Sequence, residues 1–145
     1  MAKIKEGSTI KKGSTDELIA SVNDITRMMP DSSGVTSGSN SNGRWMRFPD
    51  GTQICWHSHN HGSVAINIAW GSIYGAGLSV NNFPVSFTSV PTVIKSMTSS
   101  SGTVIMSSVN PQPTTSHPGG FEPDRATPAT VSNLTTHYIA IGRWK

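Results

Sequence analysis

The sequence predicts a mainly β protein, an antiparallel β-sandwich with a short α-helix at the N-terminus. From residue 43 onward, apolar residues alternate with small or polar ones in short segments, and Gly, Pro, Asn or Ser bounds each segment. Before residue 31, one segment instead repeats its apolar residues at helical spacing. No helical pattern separates the β segments, so we expect antiparallel pairing rather than a parallel sheet with helical crossovers.

The helix is predicted over residues 14–30. Ser14 and Glu17 form a capping box at its start, and Pro30 ends it. The apolar stripe consists of Leu18, Val22, Ile25 and Met29. Its spacing is that of a coiled-coil seam, and the alternative is an amphipathic helix that lies on its own domain.

The chain is predicted to divide into three parts. Residues 31–43 are rich in Gly, Ser and Asn and have no periodicity, which is typical of a linker. A linker at this place keeps the helix from burying its stripe on the β domain. We therefore expect residues 1–30 to form an oligomerisation or attachment segment and residues 44–145 to form the β-sandwich.

A β-hairpin is predicted around the Pro-Asp-Gly turn at residues 49–51, with strands at 43–48 and 52–57. In a simple register, Trp45 and Trp56 would face each other across it. The further predicted strands are residues 63–70, 91–98, 102–109 and 136–144.

Composition and charge exclude several classes of function. Apolar residues make up 34% of the 145 residues, so a monomer would have a thin core. The net charge of +3 comes mainly from a Lys-rich N-terminus, which is too short a basic tail to predict nucleic-acid binding. One cysteine cannot form an internal disulfide, and we read Cys55 as a small buried hydrophobe. No apolar run is long enough to predict membrane insertion, and no signal peptide is evident.

Three histidines at alternate positions form a candidate metal site. In an extended strand, His57, His59 and His61 point to the same face as Cys55. A His-x-His pair can place two imidazoles on one metal ion, so His57 and His59 are the candidate ligands. The alternative is an exposed end of a hairpin whose histidines bind nothing.

Five other residues are candidates for binding a carbohydrate. Trp70 and Tyr74 could form an aromatic platform for a sugar ring, or belong to the core. Asp124 and Arg125 could bind saccharide hydroxyls, or form an ordinary solvated pair. His137 lies on one face of the last strand and could contact a ligand or a neighbouring subunit.

The sequence predicts no catalytic site. It has no nucleophile elbow, no phosphate-binding glycine loop and no plausible pair of catalytic carboxylates among its eight acidic residues. A fragment of a cupin motif is present, since Gly51, His57, His59 and Gly71 have its spacing. However, Val64 stands where a cupin has its glutamate ligand, so this predicts at most a degraded metalloenzyme.

The β region resembles the C-terminal domains of bacteriophage tail-fibre and receptor-binding proteins. Residues 37–56, "SGSNSNGRWMRFPDGTQICW", are similar to the opening of such domains. Residues 82–97 and 137–144 are similar to strands of the H-type lectin domains found at fibre tips. The family's sugar-contacting residues have no recognisable counterparts here, and the loop at residues 110–130 is peculiar to this sequence.

The resemblance implies a homotrimer of H-type lectin-like β-sandwiches, located in the tail fibre of the virion after synthesis in the host cytoplasm. Its implied partners are a bacterial surface polysaccharide or lipopolysaccharide, and other tail proteins bound through the N-terminus. It also implies that His57 and His59 of three copies could hold a structural iron ion at the three-fold axis. A structural virion component, acting as a trimerisation knob, is the alternative.

Overall fold

The computed structural model describes residues 34–107 and 110–145. By its internal contacts the chain divides into two units, Met1–Val35 and Thr36–Lys145, and the described structure belongs almost wholly to the second. The predicted helix at residues 14–30 and the attachment segment at residues 1–30 lie outside the described residues. No helix in the described part of the chain is long and apolar enough to cross a membrane.

The described part of the β unit contains eleven strands. In chain order they are β1 (Thr36–Asn40), β2 (Gly43–Arg47), β3 (Thr52–Asn60), β4 (Val64–Ile66), β5 (Ile68–Trp70), β6 (Ile73–Gly75), β7 (Thr92–Thr98), β8 (Ile105–Ser107), β9 (Glu122–Asp124), β10 (Ala129–Val131) and β11 (Thr135–Arg143). All their pairings are antiparallel, so the predicted mainly β, antiparallel class is confirmed.

A five-stranded sheet in the order β1-β2-β3-β11-β7 is the main element. The last strand, β11, runs between β3 and β7, and Tyr138 lies opposite His57 on one side and Lys95 on the other. Each long strand alternates a buried side chain with an exposed one, as expected for a sheet with one packed face. We call the packed face the inner face and the opposite one the outer face.

The predicted sandwich is only partly present. In the described residues the inner face is covered by loops and three two-stranded ribbons, β4-β10, β5-β6 and β8-β9, rather than by a second large sheet. Pro118 and Pro123, both buried, lie in this layer. Proline lacks the N–H group that a central strand needs, which helps explain why this layer has only short pairings.

The predicted linker at residues 31–43 is in part a strand. Residues 36–40 form β1 and pair with β2 through the turn at residues 41–42. Asn40 stabilises this turn, because its Oδ1 accepts a hydrogen bond from the Asn42 N–H at 2.9 Å. Its Nδ2 donates to the Pro84 carbonyl at 2.9 Å. Backbone pairing needs no apolar side chains, so the polar composition did not reveal the strand.

The predicted hairpin is present, but its tryptophans do not face each other. Trp45 pairs with Cys55, and Trp56 pairs with Arg44, so the two rings lie on opposite faces of the sheet. The cause is the three-residue loop 49–51, which closes with the Phe48 N–H donating to the Thr52 carbonyl at 2.8 Å. Such a loop ends in a residue of positive φ, and Gly51 has φ 93°.

Two core clusters fill the space between the inner face and the covering layer. Phe83, Phe87 and Tyr138 stack edge to face in the first cluster, with ring centroids 5.0 and 5.5 Å apart. The second cluster consists of Ile66, Ala76, Val131 and Leu134. Cys55 is fully buried in the first cluster, as the sequence predicted.

Candidate functional site

Trp70 is an exposed aromatic side chain at the end of a ribbon. It closes β5 and pairs with Ile73 of β6 across a tight turn at Gly71, which has φ 59°. A short turn of this kind requires a residue with a left-handed backbone conformation. Trp70 is 64% exposed, so its indole is not part of either core cluster. Of the two readings of Trp70, the position favours a contact residue over a core residue.

A cleft of about 730 Å³ opens beside Trp70. One wall comes from the segment after β6 and the other from the loop that leads into β9. The lining side chains and backbone belong to Trp70, Gly77, Leu78, Val80, Asn110, Pro111, Gln112, His117, Gly120, Phe121 and Glu122. The volume is in the range of small-molecule sites, and the walls combine apolar surface with a few polar groups.

His117 ties the two walls of the cleft together. Its Nδ1 accepts a hydrogen bond from the Gly119 N–H at 3.0 Å, and its Nε2 lies 3.3 Å from the Val80 carbonyl oxygen. Nδ1 accepts in this arrangement, which leaves Nε2 to donate to the Val80 carbonyl. These two hydrogen bonds join the walls of the cleft.

Glu122 and Asp124 occupy the same face of β9 and converge on Gly75. A Cβ atom at Gly75 would collide with the Glu122 carboxylate and lie 3.2 Å from Oδ1 of Asp124. Partial burial, together with the nearby Asp124, raises the pKa of Glu122. Asp124 is only 6% exposed, whereas the Glu122 carboxylate borders the cleft.

Tyr74 and Arg125 are joined through their backbones next to this pair of carboxylates. The Tyr74 N–H donates to the Arg125 carbonyl at 2.8 Å, and the Arg125 N–H donates to the Tyr74 carbonyl at 2.9 Å. The ring of Tyr74 packs against the second core cluster rather than joining Trp70 in a platform. The Arg125 guanidinium donates through Nη1 to the Thr103 carbonyl at 2.7 Å.

His137 lies apart from the other predicted carbohydrate residues. It projects from the outer face of the sheet, where Nδ1 is 2.8 Å from the Ser58 hydroxyl and Nε2 is 3.1 Å from the Thr98 hydroxyl. The cleft borders Phe121 of the first core cluster, on the inner side. The structure therefore brings Trp70 close to Glu122 and leaves His137 on the opposite side of the sheet.

The three alternate histidines point to the inner face at the end of β3. The ring centroids of His57 and His59 are 5.9 Å apart, and those of His59 and His61 are 4.5 Å apart. Burial and the neighbouring His59 lower the pKa of both His57 and His61. Nε2 of His57 is buried without a hydrogen-bond partner, while Nε2 of His61 lies 3.0 Å from the Thr136 hydroxyl.

The histidines fit a metal only in part. The unpartnered Nε2 of His57 and a neutral imidazole suit a metal ligand. Yet among residues 34–107 and 110–145 no group of three or more His, Cys, Asp or Glu side chains is arranged to hold a metal ion. His57 and His59 of one chain would need ligands from elsewhere to complete a shell.

An apolar strip crosses the outer face of the sheet. In one row Trp56 pairs with Ile139, which pairs with Ile94, and in the next row Ile54 pairs with Ile141. We call these five residues the isoleucine strip. Ile94, Ile139 and Ile141 are 61%, 47% and 43% exposed, so the described part of the chain leaves the strip uncovered.

Comparison with known proteins gives two distant structural similarities. The N-truncated R1-type pyocin tail fibre is 20% identical over 74% of this chain and 84% of its own, with a TM-score of 0.49. The C-terminal part of the P. aeruginosa R1 pyocin fibre is also 20% identical over 74% of this chain, but over 28% of its own, with a TM-score of 0.45. No family model and no curated protein matches the chain.

Sequence reasoning missed most of the cleft. Of the residues that line the cleft, the sequence predicted only Trp70 as a ligand contact, and it gave no signal for Asn110, Gln112, His117 or Glu122. The loop that carries them had one signal in the sequence, its length, and the structure shows that it buries residues such as Phe121. A long ordered loop is often functional.

Proposed function

We propose that this protein is a homotrimeric, non-catalytic tail-fibre protein that binds a glycan on the bacterial surface. The proposal joins the sequence resemblance to two features of the β unit, the isoleucine strip and the exposed Trp70. The residues before the β unit would attach it to other tail proteins, and the virion tail fibre would be its location.

The isoleucine strip supports self-association, and the number of three copies comes from the sequence resemblance. Burying one isoleucine side chain stabilises an assembly by about 1.5–3 kcal/mol, and Ile94, Ile139 and Ile141 all leave a large part of this gain unused in a single chain. Another copy of the chain offers the same apolar surface, so the strip can be buried by self-association. With 34% apolar residues the chain has a thin core of its own, so an interface adds apolar burial that a single chain lacks.

Glycan binding is supported by the position of Trp70, the observation that carries this part of the proposal. An indole that is 64% exposed beside a cleft can stack on the apolar face of a sugar ring. Such contacts give weak affinity at each site. Three sites held in one assembly raise the avidity, as cell-surface recognition requires.

Binding to intact bacteria tests this function. The full chain, labelled with a fluorophore, is expected to bind saturably to at least one bacterial strain. Periodate oxidation of the cells should abolish binding, and protease treatment should not. Binding to no strain, or binding that protease removes and periodate leaves, would overturn the proposal.

A purely structural virion component is the second candidate, and the isoleucine strip favours it without any role for Trp70. It predicts the same assembly but no binding to cells. A degraded cupin-like enzyme is a weaker alternative, because Val64, at the position of the glutamate ligand, packs against the second core cluster.

A metal ion at His57 and His59 stays a prediction, and the fold limits where a three-fold axis through that metal could lie. These side chains point to the inner face, whereas the isoleucine strip lies on the outer face. One three-fold axis through the strip would therefore not gather the histidines of three copies. Metal analysis of the purified protein, with a His57→Ala variant for comparison, tests this prediction separately.

A further inference from the structure

We infer that the cleft beside Trp70 binds a neutral or amino-bearing pyranose and discriminates against anionic sugars. The inference rests on the proposed glycan-binding function and specifies its site and ligand class. The shape of the cleft, its polar groups and its charge all support this ligand class.

The shape suits one or two sugar rings. Trp70 presents a flat indole at the rim, and the cleft continues past Leu78 and Phe121 with a volume of about 730 Å³. A pyranose has one face of C–H groups that can lie on the indole. The hydroxyl groups at its edge then point toward the wall formed by the loop.

That wall supplies polar partners for hydroxyl groups. Asn110 and Gln112 are exposed at its edge, and within the described residues neither side-chain amide makes a hydrogen bond. Each amide can donate and accept, and the Glu122 carboxylate can accept two or more bonds. Paired donors and acceptors of this kind match the vicinal hydroxyls of a sugar.

Charge sets the ligand class. Of the described residues that line the cleft, Glu122 is the only Asp, Glu, Lys or Arg, and both ring nitrogens of His117 are used in hydrogen bonds within the protein. The ammonium of Lys95 lies behind the wall, where it donates to the Gly120 carbonyl at 2.8 Å and sits 4.8 Å from the centroid of the Phe121 ring. A carboxylate or phosphate on the ligand would meet Glu122 without a cation lining the cleft to offset it.

The geometry of the site is held before any ligand arrives. His117 joins the two walls, and the glycine at position 75 lets the Glu122 carboxylate pack against the β6 backbone. A site with fixed polar groups discriminates between ligands better than a mobile one. The discrimination against anionic sugars should therefore be a property of the cleft itself.

The experiment titrates the full chain with matched pairs of methyl glycosides and follows the Trp70 indole N–H signal by NMR. The pairs are glucoside with glucuronide and galactoside with galacturonide, together with the methyl glycoside of glucosamine. We expect at least one neutral or amino glycoside to shift the signal and to bind at least tenfold more tightly than its uronide. A uronide that binds as tightly as its neutral partner, or a panel that leaves the signal unchanged, would overturn the inference.

Three variants connect the result to the cleft. Trp70→Ala should abolish binding, and Trp70→Phe should restore part of it because an aromatic face is kept. Titration calorimetry measures binding by these two variants, since neither has a Trp70 indole signal. Glu122→Gln should narrow the difference between neutral glycoside and uronide to less than threefold. Val90→Ala is the control, because Val90 is 60% exposed and does not line the cleft.

The failure of this inference can be told apart from the failure of the proposed function. If the wild-type chain and Trp70→Ala bind glycan on bacteria equally well, the function stands and the cleft is not its site. If the wild-type chain binds no bacteria, the proposed function fails. A glycoside that still binds in the cleft would then show a sugar site without the proposed role in binding bacteria.

Discussion

The carboxylate of Glu122 packs directly against the backbone of Gly75. A side chain at position 75 would collide with Glu122, with its Cβ 3.0 Å from Cδ of that residue and 3.2 Å from Oδ1 of Asp124. This contact lets β9 approach the β5-β6 ribbon and sets the position of Glu122 at the cleft. The absence of a side chain at position 75 is thus part of how the site is built.

Gly75→Ala is expected to destabilise the protein by about 0.5–1 kcal/mol, because the new methyl group must push aside the ends of the Glu122 and Asp124 side chains. Urea unfolding measures the change. Gly77→Ala is the matched control, since a Cβ there would meet no atom within 4 Å. Equal stability of the two variants would contradict the packing of Glu122 on Gly75.

The Cys55 thiol should be unreactive in the native protein. Cys55 is fully buried, and burial raises the pKa of its thiol to about 11. At pH 8 only about one Cys55 side chain in a thousand would be the reactive thiolate, even if a reagent could reach it. A disulfide reagent should therefore react with Cys55 only as fast as the protein unfolds, and fast reaction of the native protein would be inconsistent with this core.

The histidines on the inner face should make the protein less stable in mild acid. The pKa values of His57 and His61 are lowered in the folded state, by burial and by the neighbouring His59. The unfolded chain therefore binds protons more readily than the folded chain. The contribution of these histidines to the free energy of unfolding is complete above the usual histidine pKa of about 6.5, and it is lost as the pH falls through the lowered values.

Urea midpoints measured from pH 7.5 to 5 test this dependence. The wild-type midpoint should fall, and the double variant His57→Gln, His61→Gln should show a flatter profile. His137→Gln is the control, because His137 lies on the outer face with hydrogen bonds to Ser58 and Thr98. A double variant with the wild-type slope would show that other groups cause the effect.

Ile139→Lys should split the proposed trimer into single chains. Ile139 lies between Trp56 and Ile94 at the middle of the isoleucine strip, and a lysine there would place a charge in the interface. The variant should still fold, because the residue is 47% exposed in the single chain. Ile105→Lys is the control, since Ile105 is 65% exposed and lies outside the strip. Sedimentation velocity compares the two variants.

Sequence reasoning was most successful where apolar alternation is long. The hairpin of β2 and β3, and the strands β7 and β11, follow from alternation bounded by turn residues. β1 was missed because its residues are Ser, Gly, Thr and Asn, and β9 because Pro123 lies within it. The facing of Trp45 and Trp56 was wrong because the three-residue turn at 49–51 puts Cys55, and not Trp56, opposite Trp45, and a shift of one residue moves a side chain to the other face.

The candidate site was less predictable for a physical reason. Trp70 could be chosen from its aromatic character, but the cleft is assembled from residues near 70–80 and residues 110–122. Only the tertiary fold brings such distant segments together. Likewise the isoleucine strip is formed by neighbouring strands far apart in the sequence, and the pairing of β11 with β3 and β7 could not be derived from the alternation of each strand alone.

The mass of the full chain in solution is the most direct test of the account. Multi-angle light scattering should give about three times the chain mass of 15.4 kDa, with the isoleucine strip buried between copies. A mass of one chain at micromolar concentration would contradict the proposed assembly and leave the exposed isoleucines without the partner that the account assigns to them.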